Sequence, residues 1–181
     1  MEKRRRAEKL IATLRWLVIM LGLVTAVDNM SRALTVGVLG LVAVYNSVLI
    51  YCLNDPTRFA QWGRRAAITS RALDTLVISL AVVYAGASDS LAYLLYWFVL
   101  VSFGFTTTDL RKLAIAGAGV LAADAAATFL AFYADASLSA ALTAVAMRSG
   151  VVIFGLLVSL YIAKSRSREE LATERGSYLQ A

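Results

Sequence analysis

The feature that most restricts this chain is the spacing of its apolar blocks. Stretches of about 20 residues, almost free of charge, alternate with short polar turns, and about 20 residues is the length of helix that crosses roughly 30 Å of hydrocarbon. The blocks run at about 10–27, 33–53, 66–85, 91–105, 113–133 and 140–163. A helix of a soluble bundle needs a polar face, and most of these blocks have none. With 60% hydrophobic and 17% charged residues, the chain lies well outside ordinary soluble composition. The expected fold is all-α: a polytopic membrane protein with a six-helix transmembrane bundle at 1–163. A cytoplasmic linker helix at 164–181 is expected to follow it.

The connecting segments alternate in charge. One set holds Lys3, Arg4, Arg5, Arg6 and Lys9, then Arg58, Arg64 and Arg65, then Arg111 and Lys112, then Lys164, Arg166 and Arg168. The other set holds only Arg32, against Asp28, Asp89 and Asp135. Cytoplasmic loops collect Lys and Arg, so six passes with both termini in the cytoplasm satisfy every segment together. Met1–Lys9 followed by 10–27 reads as a retained first span, since no small-residue cleavage site follows it. The longest internal loop is expected at 54–65, and short turns at 28–32, 86–90 and 134–139. Asp109 is placed to cap the fifth span. With the outer turns so short, a stimulus has to be read within the bilayer or at its rim.

The excess of basic residues, +6 formally, is accounted for by topology, so no nucleic-acid partner is expected; the lipid bilayer is the first partner. There is no histidine, no phosphate-binding GxxxxGK[ST] loop and no acidic cluster of metal-site spacing. Catalytic residues, a metal and a cofactor are therefore not expected. Cys52 has no second cysteine to pair with and reads as a small apolar helix residue.

Charges within spans cost roughly 2.5–3.5 kcal/mol each, so each needs a reason. Arg71 and Asp74 lie about one turn apart in the third span and are expected to pair along their own helix. Asn46 joins them as an inner-half polar cluster through interhelical hydrogen bonding. Asp124 is placed near the midplane and Arg148 about 10 Å from the outer end of the sixth span. The two are expected to pair, directly or through water. Such a pair is either a helix-to-helix clasp or the polar floor of a cavity for a lipid-like or quinone-like ligand. Gly37, Gly40, Gly117, Gly119, Gly150 and Gly155 are expected to let helices approach closely. In the tail, Leu171 and Tyr178 are seven residues apart, the start of a coiled-coil seam, which implies a homodimer and a relay helix leading to a further domain.

The run Arg71-Ala-Leu-Asp74 through Tyr84, Gly86 and Ser90 to Tyr96 resembles the six-span N-terminal sensor region of bacterial histidine kinases and diguanylate cyclases. Arg15-Trp16 and the basic exit after the sixth span are similar to that group as well. The resemblance implies a bacterial inner-membrane signal-input module whose tail helix drives a kinase or cyclase output domain. A small transporter or channel is the alternative; the paired midplane charges suit it, but no span holds the mid-helix proline of a broken helix. An integral membrane enzyme is a third, weaker option.

Overall fold

In the computed structural model, residues 2–26, 32–84, 91–133 and 137–178 are described; side chains are described within these except at 2–4, 18–26, 32–35, 91–92, 170 and 173–178. Every element among the described residues is helical. We label them α1 (Glu2–Ala26), α2 (Arg32–Asn54), α3 (Pro56–Tyr84), α4 (Leu95–Thr106), α5 (Leu110–Tyr133) and α6 (Leu138–Tyr178). A single 3₁₀ turn, Leu91–Leu94, leads into α4. Four helices, α2, α3, α5 and α6, are long and apolar enough to cross a membrane; α4 is apolar but has 12 residues. The turn at 86–90 lies outside the described residues, as do 28–31 and 134–136 of the other two expected turns; Arg32, Leu138 and Ser139 are already helical.

The segment 54–65, expected as a loop, is helical apart from Asp55. The cause is local. Asp55 is extended (φ −105°, ψ 122°), and its carboxylate accepts from the Thr57 amide at 2.8 Å and the Thr57 hydroxyl at 2.6 Å. Pro56 fills the first helical position, where its fixed φ fits and its missing N–H costs nothing. The chain therefore turns from α2 to α3 on one residue. α3 then contains a five-residue π turn, Phe59–Gly63, with the Phe59 ring against Gly63. A methyl group at position 63 would come within 2.1 Å of that ring.

Asp109 caps α5 as expected, accepting from the amides of Arg111 (3.1 Å) and Lys112 (3.2 Å). α6 is one unbroken helix of 41 residues, about 60 Å long, so the sixth apolar block and the tail form a single rod.

α6 packs on α5 and α4, α5 on α3, and α2 bridges α1 and α3. One apolar core, including Ile78, Val82, Tyr96, Leu100, Val120 and Val152, joins α3 to α6; a smaller one joins Ala12, Leu49, Leu53 and Phe59. Of the expected close-packing glycines, Gly37, Gly40, Gly119 and Gly150 face open space. Gly117 sits under Leu156 and Gly155 under Trp97, whose indole N–H donates to the Val151 carbonyl at 3.0 Å. Among the described glycines, the tightest approach to a neighbouring backbone is at Gly104, where a Cβ would lie 2.8 Å from the Ser159 carbonyl oxygen.

The burial pattern is inverted relative to a soluble bundle. Val36, Val44, Ile115, Leu130 and Met147 are exposed, whereas Glu8, Arg15, Arg71, Asp74 and Asp124 are inside. That distribution suits a hydrocarbon surround, in which charged groups turn inward and pair. The chain is accordingly a multi-pass helical membrane protein.

Candidate functional site

The inner face of α1 is set by Glu8, Ile11, Ala12 and Arg15, at helical positions i, i+3, i+4 and i+7; all four are buried. Two of them are charged, and each finds a partner on α3. Arg15 donates to Asp74 Oδ2 through Nη2 at 2.7 Å and through Nε at 3.0 Å. Its Nη1 donates to Asn46 Oδ1 at 3.0 Å and its Nη2 also to Ser70 Oγ at 3.3 Å. The other carboxylate oxygen of Asp74 accepts from the Tyr45 hydroxyl. Asn46 in turn donates to the Ala12 carbonyl at 3.1 Å, so α2 grips the α1 backbone.

Arg71, one turn before Asp74, donates through Nη2 to Glu8 Oε2 at 2.9 Å and to the Thr106 hydroxyl at 2.9 Å. Its Nε donates to Ser102 Oγ at 3.0 Å and its Nη1 to the Ala67 carbonyl at 3.1 Å. Its guanidinium lies 4.9 Å from the centre of the Phe103 ring. Two buried ion pairs, Glu8–Arg71 and Arg15–Asp74, thus join α1 to α3, and hydroxyls and an amide of α2 and α4 add further bonds, although Glu8 Oε1 is buried with no hydrogen-bond partner.

Of the expected cluster, Asn46 and Asp74 meet on Arg15, whereas Arg71 bonds Glu8, Ser102 and Thr106, and the intrahelical Arg71–Asp74 pair does not form. Both side chains are inward, where α1 supplies a better partner for each. Arg71 is 2% exposed, so it does not reach out to a membrane boundary either.

Asp124, on α5, is fully buried. Its Oδ1 accepts a 3.5 Å hydrogen bond from Thr128 one turn on, and its Oδ2 has no hydrogen-bond donor. No direct ion pair joins it to Arg148 among the described residues. The Arg148 guanidinium lies instead 4.8 Å from the centre of the Tyr93 ring and 5.3 Å from that of Phe132. Near Asp124, Tyr96 and Ser79 share a hydrogen bond of 2.7 Å. Leu171 is exposed on α6, and Tyr178 ends that helix; the Tyr178 side chain lies outside the described residues.

Sequence reasoning passed over Glu8, Tyr45, Ser70, Ser102 and Thr106, and noted Arg15 beside Trp16 without giving it a partner. The signal for Glu8 and Arg15 is a seven-residue spacing that puts both charges on one face of the first helix, one of them inside an apolar block.

Two capping carboxylates lie outside the apolar segments. Asp55 is held below the ordinary carboxylate range by the Thr57 hydroxyl and then the Thr57 amide; Asp109 is held below it by the Lys112 ammonium and then the Lys112 amide. No group of three or more metal-ligating side chains occurs among the described residues. The arrangement offers two things: a neutral, hydrogen-bonded clamp on α1, and a buried carboxylate with one oxygen open to a donor. No protein family, curated protein or solved structure matches this chain.

Proposed function

We propose that this chain is the membrane-embedded signal-input module of a bacterial signalling protein. Six passes, α1 and α4 included, put both termini in the cytoplasm; this follows from the positive charge at alternate connections. The observation that carries the proposal is the continuity of α6. The same rod that holds Arg148 deep in the bundle runs unbroken through Lys164, Arg166 and Arg168 and on to Tyr178. Any shift or rotation of α6 at Arg148 therefore reaches Leu171 without passing a hinge.

The stimulus in this reading is lipophilic, a lipid-like or quinone-like molecule whose donor group meets Asp124 Oδ2. It acts by favouring one of two settings of α6 over the other. The clamp holds α1, α2 and α3 together as the fixed body against which α6 moves. Two copies associate through the tail around Leu171 and Tyr178, and a kinase or cyclase domain receives the motion.

The test is a fusion. A dimerisation-gated cyclase is joined after Ala181 with zero to four inserted alanines, and its output is measured in membranes. A relay through a rigid helix gives output that rises and falls with the helical period of 3.6 residues. Asp124→Asn moves the set-point in the in-phase fusion. Output that is flat across the insertions removes the relay. Flat output together with solute flux in proteoliposomes identifies a transporter instead.

A further inference from the structure

A cleft of about 670 Å³ opens between α3, α4 and α5, at the end of the bundle that carries Arg64 and Lys112. Its volume is in the range of small-molecule sites. Along α3 it extends from Arg64 to Thr75, and along α5 from Lys112 to Val120. At 1.5 Å per residue those runs are about 16 and 12 Å, close to the half-thickness, about 15 Å, of a bilayer's hydrocarbon. The cleft is therefore one leaflet deep.

Its two ends differ in chemistry. The mouth has Arg64 and Lys112, with the Thr107 hydroxyl beside them; the deeper walls are Ile68, Ile115 and Gly119. Gly119 has nothing within 4 Å of where a side chain would begin, so it widens the cleft without supporting a neighbour. Three cations line the cleft, Arg64, Arg71 and Lys112, and no carboxylate does. Arg71 is matched from behind by Glu8 and Lys112 from the side by Asp109. Arg64 has no carboxylate in ion-pairing reach among the described residues. The cleft thus carries one positive charge in excess at its mouth and an apolar slot below.

We propose that this cleft seats one anionic phospholipid of the cytoplasmic leaflet. Its phosphate is held by Arg64 and Lys112, and one acyl chain lies along Ile68, Ile115 and Gly119. A guanidinium suits a phosphate because its planar fork donates two parallel bonds. The charge excess of one matches a single phosphodiester, and the leaflet-deep slot matches a tail that a free phosphate does not have. This inference rests on the membrane-spanning fold and on the proposed cytoplasmic side of its basic connections, not on the relay through α6.

The test uses the full chain in detergent, titrated by native mass spectrometry with phosphatidylglycerol or, separately, with phosphatidylcholine of the same acyl chains. A basic group near an anionic headgroup strengthens binding about fivefold. Phosphatidylglycerol is expected to give the tighter first adduct. Arg64→Ala weakens it about fivefold and Arg64→Ala with Lys112→Ala about 25-fold, each with a smaller loss for phosphatidylcholine, whose choline offsets the charge of its own phosphate. Gly119→Phe weakens both lipids. Arg65→Ala leaves both unchanged, because Arg65 turns onto the Trp62 ring, 5.8 Å from its centre. Equal binding of the two lipids, wild-type binding in the double variant, or the same loss in Arg65→Ala overturns the proposal. Displacement by millimolar inorganic phosphate overturns the lipid assignment. Thermal unfolding of each variant, recorded alongside, separates an emptied cleft from a damaged fold, and Arg64, exposed at the mouth, is the variant least able to disturb it.

Discussion

Arg71 and Asp74 stand one turn apart on α3 with opposite charges, and neither bonds the other. Each reaches across to α1, Arg71 to Glu8 at 2.9 Å and Asp74 to Arg15 at 2.7 Å. What looks along the sequence like a local pair is a two-rung junction between helices 50 or more residues apart.

Breaking one rung leaves its partner buried and uncompensated. Asp74→Leu is therefore expected to destabilise the fold by about 3–5 kcal/mol. Removing both charges, with Arg15→Met and Asp74→Leu, is expected to cost much less than the sum of the single changes. A double-mutant cycle on reversible unfolding in mild detergent measures the coupling; additive losses would mean that Arg15 and Asp74 do not depend on each other.

Glu8 makes the basic N-terminal segment part of the fold. Glu8→Ala is expected to lower stability by about 3–5 kcal/mol, because Arg71 is left buried without its counter-ion. Proteolysis of α1 in membranes, compared between this variant and the unaltered chain, checks this; equal resistance would remove Glu8 from the junction.

Glycines separate by what faces them. At Gly104 an added methyl meets the Ser159 backbone and must push α4 off α6, so Gly104→Ala is expected to cost about 1–3 kcal/mol. At Gly37 and Gly150 the same change meets nothing and is expected to stabilise, by up to about 1 kcal/mol, through helix propensity alone. Thermal midpoints of the three variants decide this by sign.

The caps predict a pH dependence. Asp55 and Asp109 both titrate below the ordinary value of 3.8 in the folded chain. Their contribution is therefore complete above pH 3.8 and disappears as pH falls through the depressed folded values. The amide resonances of Thr57 and Lys112 are expected to hold steady down to about pH 4 and to shift below it. Asp55→Asn is expected to abolish the shift at Thr57 and spare the one at Lys112.

Much of this architecture is written along the chain. Apolar runs of spanning length mark α2, α5 and the apolar part of α6, because in lipid a helix needs no polar face. The Asp109 cap follows from its place before the fifth block. The Asp55-Pro56 start is an equally local signal, but the basic residues around it read as a loop. Bonding inside the bundle is less legible. The partner of Arg71 depends on how α1 is rotated, and Glu8 sits among five basic residues whose spacing suits a membrane flank. Likewise, the aromatic faces of Tyr93 and Phe132 draw Arg148 away from Asp124, and nothing in linear spacing announces that competition.

The wide turn at Phe59–Gly63 has a geometric result further along α3. Its buried positions begin 59, 63 and 67, steps of four. In a plain α-helix each such step overshoots a full circle by about 40°, so the two together would spiral off the flank facing α2. The broader coil absorbs that overshoot and keeps Phe59, Gly63 and Ala67 in one file. Excising a single residue there, Ala60 for instance, would throw the start of the rod out of azimuth with everything from Ser70 onward.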